Sequence, residues 1–218
     1  MFVKLWMTSN LLTVTSRQPL VEVEQLMRKN RVRRVLVVDD GKLCGIISSR
    51  DLFMAMPPLI DGNADLEQLE RTGRIEAGAI MTRDPVTVDP LTPLEEAALL
   101  MRTHKFGALP VVREGELVGI ITETNIFDAL LEMLGAGSEG ARIDLQIDRD
   151  PEALYALLDV FRQCGAVIVG IGISTDLCEN CQLVTVKIKG DEVDRLIEQL
   201  WQAGVTISSV PAGKKMAD

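Results

Sequence analysis

Few side chains in the sequence have the types and spacing that catalysis needs. His104 is the only histidine among 218 residues, so it is the single candidate for a histidine-based catalytic triad, and a metal site built from several histidines is excluded. The motifs Gly-x-Ser-x-Gly and Gly-x-x-x-x-Gly-Lys-Ser/Thr, which serve acyl transfer and phosphate binding, are absent. The sequence therefore predicts a protein that is not an enzyme and that requires no cofactor.

Cys178 and Cys181 have a spacing that could bind a metal ion or form a redox pair. A structural zinc site needs four ligands, and the other cysteines, Cys44 and Cys164, form no second pair of this kind. A redox Cys-x-x-Cys motif begins a helix after a strand, whereas the pattern around these cysteines predicts a turn between two strands. No metal site is therefore predicted, and the two cysteines remain weak candidates for a metal site or a redox pair, the best version being a metal ion shared between two copies of the chain.

The composition excludes two classes of partner. The formal net charge is −9 and aromatic residues make up 4%, so the chain lacks the positive charge and the stacking surfaces of nucleic-acid-binding proteins. The longest run without a charged residue, 199–213, is shorter than the roughly 20 residues of a membrane-spanning helix. The first residues lack the apolar segment of a signal peptide. We expect a cytoplasmic protein that binds neither nucleic acid nor a membrane.

The first two thirds of the chain contain an internal repeat. Residues 7–53 align with residues 81–127 at an offset of 74 without a gap, and 18 of the 47 aligned positions are identical. The pattern Val-Val-x-x-Gly-x-Leu, for example, occurs at 37–43 and again at 111–117. This agreement indicates the duplication of a domain-sized unit.

Each copy has the periodicity of a β-α-β-β-α unit. A short strand leads into an amphipathic helix, two strands follow around an Asp-Gly or Glu-Gly turn, and a last helix starts after Ser48 or Thr122. A unit of about 50 residues buries too little apolar surface to be stable alone, so the two copies should pack together. The predicted strands are 12–15, 35–39 and 43–47 in the first copy and 86–89, 109–112 and 117–121 in the second.

The sequence of each copy resembles the CBS domain, which occurs in tandem as a Bateman module. The resemblance rests on Met-Thr before the first strand and on the stretches from Val35 to Asp51 and from Leu109 to Asn125. It extends from residue 3 to about residue 134. It implies an α+β fold with two packed units, and a regulatory ligand that contains adenosine, either an adenine nucleotide (AMP, ADP or ATP) or S-adenosylmethionine.

The resemblance also implies where that ligand would bind. In CBS modules a Ser or Thr at the start of the last helix, with an Asp or Asn three residues later, holds the phosphate and ribose. The matching pairs here are Ser48 with Asp51 and Thr122 with Asn125. Free backbone N–H groups at a helix start favour a phosphate group. The alternative is that Ser48 and Thr122 are N-caps that bind no ligand.

Basic residues concentrate near the first of these pairs. Residues 1–57 have a net charge of +4, although the whole chain has −9. Arg33 and Arg34 occupy the place of the basic pair that contacts phosphates in CBS energy sensors, and Arg50 lies nearby; arginine suits phosphate through bidentate, charge-assisted bonds. The alternatives are a solvated charge cluster and a dimer contact. Thr13 and Thr87, in the first strand of each copy, are the remaining nucleotide-binding candidates.

A third unit follows the glycine-rich linker 135–140. Its predicted order is βαββαβ, the ferredoxin-like arrangement, with strands at 143–147, 166–173, 183–188 and 205–210 and helices at 151–163 and 191–203. Asp150 is predicted to be the N-cap of the first helix, with Pro151 following. The unit resembles an ACT domain, a small regulatory module, which implies a weak candidate ligand site at Asp148 and Asp150.

The order of the three units is similar to that of the acetoin-utilisation type of stand-alone bacterial regulator. We expect CBS units at 1–57 and 80–134, a connecting helix within 58–79, and an ACT-like domain at 141–213. The expected function is that of a homodimeric sensor that passes its ligand state to an unidentified effector protein, with acetoin or carbon utilisation as the pathway that the resemblance implies. The alternative is a homodimeric scaffold that binds no ligand.

Overall fold

The computed structural model describes residues 1–55, 74–176, 178, 180–190 and 193–209. The chain is a mixed α+β protein with two compact units, Met1–Ile126 and Phe127–Asp218. The helix predicted within 58–79 lies mostly outside the described residues, as does the end of the last predicted strand. Within the described part of the chain, no helix is long and apolar enough to cross a bilayer.

The first unit contains both copies of the repeat. The first copy has β1 (Thr13–Val14), α1 (Leu20–Lys29), β2 (Arg34–Asp39), β3 (Lys42–Ser48) and α2 (Ser49–Ala55). It is followed by α3 (Ala77–Ile80) and β4 (Thr82–Arg83). The second copy has α4 (Leu94–His104), β5 (Ala108–Arg113), β6 (Glu116–Thr122) and α5 (Glu123–Met133), whose last residues belong to the second unit.

The two hairpins of the repeat have the same turn. Asp40 and Gly41 have φ of 50° and 77°, and Glu114 and Gly115 have φ of 54° and 86°. Two successive residues with positive φ fit a two-residue hairpin loop, in which glycine carries no steric cost. The predicted hairpin turns are confirmed in both copies.

The strand predicted at 86–89 is reduced to a single parallel bridge between Val88 and Val111. In the first copy, the Leu36 N–H donates to the Leu12 carbonyl at 3.3 Å and extends the ladder beyond β1. The equivalent of Leu36 in the second copy is Pro110, which has no N–H to donate. The ladder therefore loses this hydrogen bond, and the regular strand is lost with it.

Each copy completes the sheet of the other. β4 pairs with β3 antiparallel, so residues at the start of the second copy form the edge of the first copy's sheet. In the same way Thr8, at the start of the first copy, bridges Ile120 of β6. The Val3 N–H also donates to the Thr92 carbonyl at 3.0 Å. The two copies are therefore interlocked at both ends.

Equivalent apolar residues fill the cores of both copies. The helix α1 buries Leu20, Val23 and Met27, and α4 buries Leu94, Ala97 and Met101 at the same repeat positions. These side chains pack on the strands, whose buried members are Val14, Val35, Val37 and Ile47 in the first copy and Val88, Leu109, Val111 and Ile121 in the second.

The second unit has the predicted order βαββαβ. Its elements are β7 (Arg142–Asp148), α6 (Pro151–Gln163), β8 (Ile168–Ser174), β9 (Cys181–Ile188), α7 (Asp194–Gln202) and β10 (Thr206–Ser209). The strands form an antiparallel sheet in the order β10-β7-β9-β8. Its core joins Ile143, Leu145 and Val186 of the sheet to Phe161 and Leu200 of the helices.

The free face of this sheet receives the end of α5. A Cβ at Gly170 would collide with the backbone of Leu134 and Gly135, and one at Gly172 would lie 3.2 Å from Leu134 Cδ2. The Gly-x-Gly sequence in β8 is thus a close-packing feature, which agrees with its predicted position inside a strand.

Candidate functional site

Ser48 and Asp51 hydrogen-bond to each other at the start of α2. The Ser48 hydroxyl and backbone N–H donate to Asp51 Oδ2 at 2.6 and 2.7 Å, and the Asp51 N–H donates back to the hydroxyl at 3.3 Å. This reciprocal arrangement is a capping box. The N-cap interpretation of Ser48 is therefore correct, and the other carboxylate oxygen, Oδ1, makes no hydrogen bond with a described residue.

Thr122 and Asn125 repeat this arrangement at the start of α5. The Thr122 hydroxyl and backbone N–H donate to Asn125 Oδ1 at 2.7 and 2.9 Å. Because a backbone N–H can only donate, the amide oxygen must face the cap and the amide nitrogen must face away. The second copy therefore offers a donor where Asp51 offers an acceptor.

Two clefts open beside these caps. The larger one, here called the Ser48 cleft, has a volume of about 480 Å³. The other, here called the Thr122 cleft, has about 320 Å³. Both volumes lie in the usual range for small-molecule sites. The Ser48 cleft brings together five predicted residues, namely Ser48, Asp51, Arg33, Arg34 and Arg50, while the Thr122 cleft contains Thr122 together with Arg33 and Arg34.

The arginines of the clefts are free to bind an anion. Among the residues that the structure describes, the side chains of Arg31, Arg33, Arg34 and Arg50 make no hydrogen bond or ion pair. Unpaired guanidinium groups in a concave site attract phosphate, which they bind through charge-assisted hydrogen bonds.

Three predicted site residues lie outside the described cleft linings. Thr13 and Thr87 are exposed beside the buried Val14 and Val88, because successive side chains of an extended segment point to opposite sides. Neither threonine lines a cleft, and Asn125 is engaged in its cap without lining the Thr122 cleft. The structure therefore does not bring these three side chains to the ligand positions expected for them.

Each cleft also contains residues of the opposite copy that the sequence patterns did not identify. The Ser48 cleft also contains Lys105, Phe106 and Val86, and the Thr122 cleft contains Thr8 and Leu12. Leu12 and Val86 are related by the repeat offset of 74. The repeat alone could have identified them, had the exchange of segments between the copies been recognised.

The family model for the CBS domain matches residues 3–58 and 77–132, which together make up more than half of the chain. The chain belongs to the CBS domain family. Each matched range contains one of the two caps, so both clefts of this CBS pair are built from family segments.

Three solved structures are similar to this CBS protein. CBSX2 in complex with AMP is 33% identical, with a TM-score of 0.50, and covers 60% of this chain and 96% of its own. A protein assigned to acetoin utilization, AcuB from Vibrio cholerae, is 32% identical, with a TM-score of 0.52, over 64% of this chain and 98% of its own. The CBS domain pair of protein MJ0100, in complex with 5′-methylthioadenosine and S-adenosyl-L-methionine, is 26% identical, with a TM-score of 0.50, over 60% and 95%.

Asp148 and Asp150, the predicted ligand-site residues of the second unit, lie at the end of β7 and at the start of α6. Asp150 is the N-cap of α6 and accepts from the Glu152 N–H at 3.0 Å, with Pro151 in the first turn, as predicted. Asp148 is exposed at the end of β7. Neither lines the cavity of about 730 Å³ on the free face of the sheet. The structure therefore does not assemble a ligand site around them.

Cys178 and Cys181 form a disulfide. Both thiols are consumed by this bond, so the pair in this state offers no metal ligands, contrary to the weak metal hypothesis. Within the described ranges, no group of three His, Cys, Asp or Glu side chains could hold a metal ion. The Arg149 guanidinium donates to the carbonyls of Thr175, Cys178 and Cys181 and so fixes the backbone on both sides of the disulfide.

His104 is the last residue of α4. Its ring stacks on Phe106 with a centroid distance of 5.2 Å. The side chain is exposed. The histidine thus lies at the edge of the Ser48 cleft, which Phe106 lines.

Proposed function

We propose that this protein is a regulatory sensor whose CBS pair binds an adenosine-containing ligand and transmits its state to a partner protein. The observation that carries the proposal is the Ser48 cleft, where a capped helix start, a free carboxylate oxygen and three unpaired arginines converge. No catalytic step is part of the proposal, and no cofactor is required.

The chemistry of the Ser48 cleft matches the parts of a nucleotide. Asp51 Oδ1 can accept hydrogen bonds from the two ribose hydroxyls while Oδ2 keeps the cap. Arg33, Arg34 and Arg50 supply charge for phosphate. Val86 and Phe106 supply apolar surface for a purine.

The ligands of similar structures support adenosine as the shared element. AMP is bound by CBSX2, and 5′-methylthioadenosine and S-adenosyl-L-methionine are bound by the MJ0100 pair. AMP, ADP, ATP and S-adenosylmethionine are therefore the candidate ligands. Binding would act by shifting the populations of alternative arrangements, which requires a different affinity for each arrangement.

The remaining parts of the proposal concern the whole chain. We place CBS units at 1–57 and 80–134 and an ACT-like regulatory unit at 141–213, whose βαββαβ order fits that family. We propose a cytoplasmic homodimer that acts on a protein effector. The similarity to AcuB supports acetoin or related carbon utilisation as the first pathway to test.

The second candidate function is a homodimeric scaffold without a ligand. The observation in its favour is that both caps are complete with protein partners alone, so Ser48, Asp51, Thr122 and Asn125 have a structural role in any case. A binding experiment separates the two functions.

Thermal unfolding and calorimetric titration of the full chain with AMP, ADP, ATP, S-adenosylmethionine and adenosine test the sensor function, with GMP as the control for the base. A ligand at 100 times its dissociation constant should stabilise the protein by about 2.7 kcal/mol. Arg50→Ala should weaken nucleotide binding, whereas Arg28→Ala, in an exposed ion pair with Glu24 on α1, should not. If no adenosine compound binds at millimolar concentration, the scaffold function replaces the sensor.

A further inference from the structure

The two clefts share one pair of arginines. Arg33 and Arg34 line both the Ser48 cleft and the Thr122 cleft. A duplicated unit would be expected to supply one basic pair for each cleft, but the second copy has Gly107 and Ala108 at the equivalent positions. The cations of the first copy therefore serve both clefts.

Gly107 allows Arg34 to lie between the clefts. A Cβ on this glycine would collide with the Arg34 guanidinium and would lie 2.7 Å from its Cζ. Gly107 also lines both clefts. The second copy thus has a glycine at the position equivalent to Arg33, and the space beside it is filled by the Arg34 side chain.

The shared pair supplies the net positive charge of both clefts. Apart from this pair, the charged lining of the Ser48 cleft consists of two cations, Arg50 and Lys105, and two carboxylates, Asp51 and Asp84. The Thr122 cleft has one of each, Arg31 and Glu123. Without Arg33 and Arg34, each cleft would be formally neutral and would attract phosphate poorly.

We infer that Arg33 and Arg34 form a single phosphate-binding pair shared by both clefts, so that a phosphorylated ligand in one cleft weakens the binding of a phosphorylated ligand in the other. A guanidinium group that makes a bidentate contact to one phosphate is not available to a second phosphate. The first phosphate also neutralises the charge that would attract the second. This coupling rests on the proposed function, acts equally in both directions, and does not affect ligands without a phosphate.

Calorimetric titration of the full chain with AMP and with adenosine tests the coupling. Leu12→Trp and Val86→Trp, at equivalent positions of the repeat, each obstruct one cleft and report the affinity of the other cleft alone. The unmodified protein should bind its second AMP about tenfold more weakly than the lower-affinity tryptophan variant binds its single AMP. A tenfold difference lies within the usual range of coupling between two sites. For adenosine, the two dissociation constants of the unmodified protein should match those of the two tryptophan variants.

Arg34→Ala should make AMP behave like adenosine, and Arg28→Ala should leave the coupling unchanged. AMP steps equal to the single-cleft affinities, or coupling that persists in Arg34→Ala, overturn the inference while the sensor function stands. Failure of both AMP and adenosine to bind overturns the sensor function itself. If a tryptophan variant does not fold, the test uses the ratio of the two AMP dissociation constants in the protein without a tryptophan substitution. Arg34→Ala should reduce this ratio, and an unchanged ratio overturns the inference.

Discussion

The thioether of Met81 lies directly over Gly45, where a Cβ on the glycine would come within 2.5 Å of Sδ and 2.9 Å of Cγ. The repeat-related pair is Met7 over Gly119, with a Cβ distance of 2.6 Å to Sδ. In both pairs the methionine is the first residue of one copy of the repeat, and the glycine belongs to a strand of the other. These two contacts hold the exchanged segments against the sheets.

Gly45→Ala should therefore destabilise the protein by about 1–3 kcal/mol, because the added methyl group displaces Met81 from a packed position. The free energy of unfolding in urea measures this effect. Gly137→Ala is the matched control, because a Cβ there meets no atom within 4 Å and should change stability little. If Gly45→Ala and Gly137→Ala changed the free energy of unfolding equally, the packing argument would be contradicted. Adding Met81→Ala to Gly45→Ala should recover part of the lost stability.

The repeat and its element order could be predicted from the sequence because both depend on local periodicity. The caps at Ser48 and Thr122 were also predictable, since Ser or Thr followed three residues later by a polar acceptor is a local pattern. The exchange of segments was not, because nothing local distinguishes a strand that pairs within its own copy from one that pairs with the other. For the same reason, the presence of Arg34 in both clefts emerged only from the packing of the copies.

Asp51→Asn should separate the two roles of Asp51. The amide oxygen of asparagine can keep the cap, as Asn125 does in the second copy, so stability should change by less than about 1 kcal/mol. The second carboxylate oxygen becomes an NH₂ group, so the site loses its acceptor for the ribose hydroxyls. AMP should bind about tenfold more weakly, a loss typical of a charged hydrogen bond.

The matched ligand for this test is 2′-deoxy-AMP, measured by the same titration. It lacks one of the two hydroxyls, so its affinity should fall less than that of AMP when Asp51 is replaced. An equal loss for both nucleotides would show that Asp51 acts on the cleft without contacting the ribose.

Asp39 should contribute to stability in a pH-dependent way. Hydrogen bonds from Ser16, including its N–H at 2.9 Å, lower the pKa of the Asp39 carboxyl from its usual value near 3.8. A carboxyl whose pKa is lowered by folding stabilises the folded state above the unfolded pKa. That contribution is lost as the pH falls through the folded pKa.

Asp39→Asn should therefore be less stable than the unmodified protein at pH 7, and the difference should shrink towards zero as the pH falls through the folded pKa of Asp39. Urea unfolding at several pH values measures it. Asp40→Asn is the control, because the neighbouring Asp40 is exposed and its positive φ is compatible with asparagine. If the difference in unfolding free energy between Asp39→Asn and the unmodified protein did not change with pH, the effect would arise from packing and not from the charge of Asp39.

Reduction of the Cys178–Cys181 disulfide should destabilise the second unit. Thiol exchange with dithiothreitol breaks the S–S bond, leaves two thiols and converts the reagent to its cyclic disulfide. A bond that closes so short a loop contributes at most about 2 kcal/mol in the chain-entropy model, so the loss should be modest. In a reducing cytoplasm the dithiol would be the expected form.

Thiol titration in denaturant should find two free cysteines, Cys44 and Cys164, before reduction and four after it. Thermal unfolding with and without the reductant gives the change in stability. The Cys178→Ser, Cys181→Ser double variant is the control, since its unfolding should not respond to the reductant. A response equal to that of the unmodified protein would assign the effect to other thiols.

Gly170→Ala tests whether the end of α5 is an integral part of the second unit. The added methyl group would collide with the backbone of Leu134 and Gly135, which has no flexible end that could move aside. The β8 strand or the end of α5 must therefore shift, and we expect a loss of about 2–3 kcal/mol, at the upper end for overpacking. Gly172→Ala is the graded control, because its Cβ would approach only the Leu134 side chain, at 3.2 Å. The loss of unfolding free energy, measured in urea, should be largest for Gly170→Ala, smaller for Gly172→Ala and smallest for Gly137→Ala. A Gly170→Ala protein as stable as the unmodified one would show that the segment after α5 does not need this contact.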